Sequence, residues 1–301
     1  MSPDLVLLGN LIVDDLVFAD GRTRMGEAGG AMLYAALGAR LWNVSVGIVA
    51  PLGSDYPDRA LDLLETRGVE LDGLRALPGA GLRAQLLYDA TGRRVVHQPG
   101  ASHEEASPRP GDLPESFHGA RAFHLAPMPL ARQRVLAEAL GAADFLSLDP
   151  FEPLSEENRD TWPPILHRLD MLFLSDEELR VESARHDAVS AIRDLARSRL
   201  RFVALKQGPG GGILYDGREN RVLHWPGATA VAVDPTGAGD AFAGGFLAGW
   251  LAIGDSDLAV EQGAVSASFA IEGWGASALG QATPAQARER QQEWFGTRTG
   301  A

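Results

Sequence analysis

Two kinds of apolar pattern alternate along the chain. In the first, short runs are apolar at nearly every position: Leu5–Leu8, Val44–Val49, Ala122–Leu125, Phe145–Leu148, Met171–Leu174 and Phe202–Lys206. A strand buried on both faces has no polar side to show, so such runs read as strands of a parallel sheet. In the second, apolar residues recur every three or four positions, which predicts helices. These run from Gly29-Gly30 through Leu41, then over Tyr56–Arg67 (closed by Gly68), Leu130–Leu140, Trp162–Leu169, Ala188–Ser198, Leu258–Ile271 and Pro284–Phe295. Strand and helix in alternation predict an α/β fold, a mostly parallel central sheet with helices on both faces.

Two early segments do not fit that sheet. Leu11–Phe18 turns back at Ala19-Asp20-Gly21-Arg22, and Arg83–Tyr88 faces Arg94–Gln98 across Asp89-Ala90-Thr91-Gly92. Both read as hairpins and predict a small β lid at about 11–25 and 80–100. The Pro-, Glu- and Ser-rich connection between Gly100 and Gly119 reads as a surface crossover, because the pattern on its two sides is the same. A late hairpin pairs Gly212–Tyr215 with Val222–Trp225, and a Gly-rich break spans Gly273–Gly280. The whole chain, 1–301, is expected to form one domain.

The chemistry concentrates in Val233-Asp234-Pro235-Thr236-Gly237-Ala238-Gly239-Asp240-Ala241-Phe242. An apolar run precedes it. Phe242, Phe246, Leu247, Trp250 and Leu251 follow at helical spacing, with Ala243, Gly244, Gly245, Ala248 and Gly249 leaving room for a neighbour. Gly237 and Gly239 predict a tight turn whose amides, with that of Ala238, open at a helix N-terminus and suit an anion such as phosphate. Asp240 would stand beside the anion. An ordinary N-cap Asp explains many shorter matches of this kind; phosphoryl transfer gives the carboxylate a use as general base.

The net charge of −13 argues against nucleic-acid or anionic-membrane partners, while a few amides and cations still suffice for a nucleotide. There is no cysteine, so neither disulfides nor thiolate metal sites arise. The N-terminus lacks a basic leader with an apolar core, and no apolar run is long enough to span a bilayer; a cytoplasmic protein is the expectation. The seven histidines show no metal-ligand spacing, and there is no Gly-x-Ser-x-Gly elbow.

The stretch Asp-x-Thr-Gly-Ala-Gly-Asp-x-Phe with its Gly-Gly helix resembles the C-terminal signature of the ribokinase-like (phosphofructokinase-B-type) carbohydrate kinases. Other matches follow in family order from Gly9 to about Gly275. Gly9-x-x-x-x-Asp14 is similar to the motif whose Asp binds sugar hydroxyls, and Gly29-Gly30 with the helix to Leu41 resembles the first signature. Tyr34 stands there where the family usually has Asn. Ser175-Asp176-Glu177-Glu178 is similar to an Asn-x-x-Glu element that places phosphate and magnesium. Lys206-Gln207-Gly208-Pro209-Gly210-Gly211 resembles the nucleotide loop. Asp149-Pro150 matches an Asp-Pro that relatives often follow with Asn, whereas Phe151 follows here. Each has a plain alternative: a turn Asp at Asp14, a Gly-capped core helix after Gly30, an acidic capping box at Glu178, a simple turn at Gly208–Gly211.

The resemblance implies an ATP-dependent kinase for a hydroxyl of a sugar, polyol or nucleoside. It makes Asp240 the base and the amides of Gly237, Ala238 and Gly239 the anion hole. Asp14, Gly29, Gly30 and Tyr34 fall to the acceptor; Ser175, Lys206, Gly208, Gly211 and Thr236 fall to ATP. Glu178 holds a water of Mg²⁺. A K⁺ ion is expected between Asp234–Thr236 and Gly275-Ala276, and a homodimer through the lid. Tyr34 is expected to offer a stacking face to a ring-shaped acceptor; the alternative turns it into the core and leaves the pocket to Arg83 or Gln98. A non-catalytic sugar or nucleotide sensor is the alternative function, with the retained Asp240 against it.

Overall fold

A computed structural model describes residues 2–89, 92–181, 187–196, 199–229 and 231–296. The turn expected around Ala90-Thr91, the end of the helix expected to reach Ser198, and Ala230 at the head of the late apolar run lie outside the described residues.

The strands in chain order are β1 (Leu5–Leu8), β2 (Ile12–Phe18), β3 (Thr23–Gly29), β4 (Val46–Leu52), β5 (Val69–Ala76), β6 (Leu82–Asp89), β7 (Gly92–His97), β8 (Ala122–Leu125), β9 (Phe145–Leu148), β10 (Leu154–Ser155), β11 (Met171–Ser175), β12 (Leu179–Arg180), β13 (Phe202–Lys206), β14 (Gly212–Asp216) and β15 (Arg221–Trp225). Nine of them form one sheet in the order β15-β14-β13-β11-β9-β8-β1-β4-β5. All neighbours from β13 to β5 are parallel, and β14 and β15 add antiparallel at one edge.

The run Leu5–Leu8 shows why continuous apolar sequence makes a central strand. Leu5 and Leu7 enter one core layer, Val6 and Leu8 the other, and all four are fully buried. The first layer is covered by the helices Ala31–Arg40, Ala238–Ile253 and Ser256–Ile271, the second by Leu130–Ala139, Pro163–Leu166 and Ala188–Leu195. The small residues after Asp240 serve close packing: a Cβ on Gly244 would overlap the backbone of Ala35 in the facing helix.

Sequence from β1 runs outward one way through β4 and β5, then returns to β8 and proceeds the other way. The order therefore reverses beside β1, and such a switch leaves a crevice at the carboxyl ends of the strands. Over it stands a second sheet, β3-β2-β6-β7, in which β2 and β6 pair in parallel and the two hairpins become one body.

Some expectations need correction. Val69–Ala76 is a strand that was not expected, and β10 pairs with β12 in a further two-stranded piece. The helix expected over Trp162–Leu169 is one turn, Pro163–Leu166, after which Arg168 and Leu169 N–H bond three residues back to Ile165 O and Leu166 O in place of the α pattern. The Gly273–Gly280 break holds a short helix, Ser277–Gln281.

Candidate active site

The strand ends deliver several of the expected side chains to one cleft, whose lining does not include Asp14, Gly29, Gly30, Tyr34 or Thr236. Asp149 follows β9, Ser175 ends β11, Lys206 ends β13, and β1 leads through Gly9-Asn10 into the lid strand bearing Asp14. A cleft of about 650 Å³ is lined by Asp149, Ser175, Glu178, Lys206, Gly208, Gly211, Gly237, Ala238, Gly239 and Asp240. Residues more than 90 positions apart in sequence thus converge. Trp225, Pro226, Ala264, Ala267 and Ile271 make another part of the lining apolar.

Gly237 caps the helix Ala238–Ile253 in the left-handed conformation, φ 74°. Two constraints meet there: an L side chain is strained at that φ, and a Cβ would overlap the Tyr34 ring. Ala241 N–H is bonded to Gly237 O at 2.9 Å, and the Gly239 amide stands one turn ahead at the positive end of the helix dipole. The Ala238 amide differs from the expectation. It donates to Pro235 O at 3.3 Å, so it is shared with the turn. Asp240 lies in the first turn and lines the cleft.

The cation of the cleft is Lys206. Its Nζ pairs with Asp149 and lies 3.2 Å from where a Cβ of Gly239 would be. Burial opposes the ammonium, but Asp149, Glu178 and Asp240 outweigh it and hold Lys206 above its ordinary value. Burial also drives Asp149 upward, reinforced by Glu178 and Asp240 and resisted by Lys206. Three carboxylates thus share the field of one ammonium. Glu178 folds back, accepting the Ser175 amide at 2.7 Å, but it closes a turn between β11 and β12, and among the described residues the helix start that the capping alternative supposed is not there. The loop at Gly208–Gly211 is closed by Gln207 N–H to Gly211 O, with positive φ at Gly208 and Gly211.

Asp234 organises the loop below the amides. It is fully buried; its Oδ1 accepts from Thr236 N and Oγ1 at 3.0 and 2.5 Å, and its Oδ2 from Gly275 N at 2.9 Å. The Thr236 hydroxyl donates its hydrogen bond to Asp234, so in the 2.6 Å contact with Tyr88 the tyrosine hydroxyl is the donor. Tyr88 stacks on Phe18 at 4.7 Å, and Phe18 meets Trp274 edge to face. Tyr88 and the Asp234 bridge to Gly275 were not expected as parts of the site. The alternation Leu82-x-Ala84-x-Leu86-x-Tyr88 places Tyr88 on the face of the buried lid residues Ala84 and Leu86, which is the signal that was available.

On the acceptor side, Asp14 is 5 % exposed, and its carboxylate occupies the space a Cβ on Gly29 would need. Gly30, φ 94°, opens the helix Ala31–Arg40. Tyr34 lies elsewhere than expected for a stacking surface. It is 2 % exposed and its ring is covered by Gly237, so the alternative of a tyrosine turned into the core is what the structure has. Desolvation, then the charges of Asp234 and Asp14, push its hydroxyl well above the ordinary tyrosine value. Of the residues named to finish the pocket in its place, Arg83 is held by Asp55 at 2.8 Å.

Among the described residues, no helix is long and apolar enough to cross a membrane, and no three His, Asp or Glu side chains converge to cage a metal.

Known proteins agree with this arrangement. The pfkB family carbohydrate kinase pattern matches residues 11–282. A cytidine kinase of Thermococcus kodakarensis is 31 % identical over 276 residues, covering 90 % of this chain and 97 % of that protein. An ATP-dependent ribose-1-phosphate kinase of Halopiger xanaduensis is 30 % identical, covering 83 % and 84 % of the two chains. The solved nucleoside kinase of Burkholderia thailandensis, in complex with inosine, superposes with a TM-score of 0.78 at 18 % identity, covering 98 % of this chain and 100 % of that one. Motif order, fold and strand-end chemistry point the same way, and this chain belongs to the pfkB family of carbohydrate kinases.

Proposed function

We propose that this protein transfers the γ-phosphoryl group of ATP to a hydroxyl of a sugar, polyol or nucleoside. The observation that carries the reading is the convergence in one cleft of Asp240, the helix N-terminus at Gly237–Gly239 and the ammonium of Lys206. Family membership and the ATP-dependent relative support it.

In this reading the acceptor lies on Asp14 and the Gly29-Gly30 turn, with Tyr34 beneath the anion hole. The ionised Asp14 accepts from vicinal hydroxyls. Asp240 takes the proton of the attacking hydroxyl as its oxygen bonds to the γ-phosphorus and the bond to the β-phosphate oxygen breaks, leaving ADP. Amides of Gly237 and Gly239, with the shared Ala238 amide, receive the charge on the transferring group. Lys206 faces the phosphates from the other wall, Ser175, Gly208 and Gly211 border them, and Pro226, Ala264 and Ala267 offer the adenine an apolar bed. Thr236, expected on the nucleotide side, is buried against Asp234 and Tyr88 and is not in the cleft lining.

The imbalance of three carboxylates around one ammonium fits a divalent cation that arrives with the phosphates. Mg²⁺ keeps most of its waters and needs one or two carboxylates, here Glu178 through water; when bound it neutralises charge on the phosphates. The Asp234 bridge from Thr236 to Gly275 holds together the two loops between which K⁺ would lie, and a bound ion would steady the Gly237–Gly239 amides. Turnover is then expected to be higher in potassium than in a large organic cation at equal ionic strength; equal rates remove the ion from the scheme. The exposed apolar residues Met25, Val95 and Val96 on the lid's edge strands suit pairing of two lids, which light scattering of the purified protein tests.

The test of the reading itself is ATP consumption over a panel of sugars, inositols and nucleosides. Acceptor-dependent ADP release is expected for at least one of them. Binding of acceptor and nucleotide without any turnover would favour a sensor on the same fold.

A further inference from the structure

The acceptor side carries a group of rings to which no role has been given. His97, at the end of β7, and His103, in the crossover that follows, meet edge to face with centroids 4.5 Å apart. Phe151 packs on His103 at 4.7 Å, tilted by 42°. Phe151 is 43 % exposed, although a phenyl face left in water contributes nothing to the fold. His103 Nε2 lies 3.3–3.4 Å from the His97 ring nitrogens, and its Nδ1 is buried, so the two imidazoles form a packed backing beside Phe151.

The registers tie these rings to the acceptor shelf. Asp14 pairs with Ala84 and Ala84 with His97, so the three side chains form one row on one face of the lid sheet. Two strand spacings separate the ends of that row, about 10 Å. Phe151 follows the cleft residue Asp149 by two positions. The His103 loop is fastened to the end of β1, since Ser107 Oγ donates to His103 O at 2.5 Å and lies 3.5 Å from Asn10 Oδ1. A free pentose or hexose held by Asp14 stops short of the rings. A nucleoside held there by its ribose carries a flat heteroaromatic ring across the gap.

We propose that His97, His103 and Phe151 form the wall that receives the base of a nucleoside acceptor, Phe151 supplying the stacking face and the two imidazoles its backing. This rests on the kinase reading above and narrows its substrate class. Stacking of one base on an aromatic side chain is worth roughly ten- to a hundred-fold in binding.

The test compares kcat/KM for cytidine, inosine, ribose, fructose and myo-inositol in the wild type, Phe151→Ala and Phe151→Leu, with calorimetric binding of the nucleosides in the absence of ATP. The wild type is expected to favour a nucleoside over every free sugar and inositol. Phe151→Ala should raise the nucleoside KM and Kd roughly tenfold or more while kcat at saturation moves by less than about threefold, the mark of lost uniform binding. Phe151→Leu, apolar but without a flat face, should lose a comparable part. A free sugar or inositol as best wild-type acceptor, or an equal change for all acceptors in Phe151→Ala, overturns the proposal. If no acceptor is phosphorylated, calorimetry still decides: nucleoside binding weakened by Phe151→Ala sustains the wall while the kinase reading falls, and absent nucleoside binding ends the wall as well.

Discussion

Lys206 and Asp149 pair with side chains 15 % and 3 % exposed, whereas Phe151, Val95 and Val96 on the acceptor side each stand about two-fifths in solvent. The same contrast holds for the backbone. The phosphate side rests on the end of a 16-residue helix packed between the sheet and two other helices, and its loop is tied by a fully buried carboxylate. The acceptor side is roofed by a four-stranded sheet with two open edges and a three-residue buried core, Leu16, Ala84 and Leu86. In the proposed reading, chemistry common to any alcohol is set in the part of the molecule that packing holds fixed. Choice among alcohols is left to a part that substitution can alter without disturbing that packing.

The sharpest way to break this contrast is at Asp240. Asp240→Asn keeps the size and removes the proton acceptor, so turnover is expected to fall by roughly 10²–10⁴ for every acceptor, with nucleotide binding retained. Steady-state rates and nucleotide titration measure both. More than about a third of the wild-type rate remaining would deny the base role, whose loss is far larger.

Tyr34→Asn comes next and sharpens the division. The ring supports Gly237, so its loss leaves a void and buries an amide in its place; a stability loss of about 3–5 kcal/mol is expected, as for other large-to-small changes of buried aromatics. Turnover should drop for all acceptors alike, because the defect lies under the anion hole. Denaturant melts and the acceptor profile check it: a changed preference among acceptors would move Tyr34 to the acceptor side. The smallest effect is expected from Tyr88→Phe, which deletes the donor to Thr236 and keeps the stack on Phe18. One neutral hydrogen bond is worth about 0.5–1.5 kcal/mol, a few-fold in rate or affinity, read as a change in how strongly acceptor binding is aided by nucleotide.

The division also governs what could be read from the chain. The anion-hole helix, the strand ends bearing Asp149, Ser175 and Lys206, and the two-faced strands declare themselves because their local sequence is committed to one structure: glycines at a helix start, acids after apolar runs. Val69–Ala76 escaped because an edge strand half in solvent shows only loose alternation after a helix-capping glycine. The orientation of Tyr34 was hidden for another reason. It depends on contact with Gly237, some 200 positions away, and nothing in Gly29–Leu41 distinguishes a ring that faces a ligand from one that faces a remote turn. The wall of His97, His103 and Phe151 is assembled from three separate segments and has no sequence pattern at all.

The hydrogen bond from Tyr88 to Thr236 has a thermodynamic consequence. It joins the cover of one ligand to the loop beneath the other, and through Asp234 to Gly275. In the proposed reading this bond is a route by which filling one site bears on the other, and the Tyr88→Phe comparison measures how much. By linkage, any factor by which a bound acceptor raises the affinity for nucleotide is the factor by which nucleotide raises the affinity for acceptor.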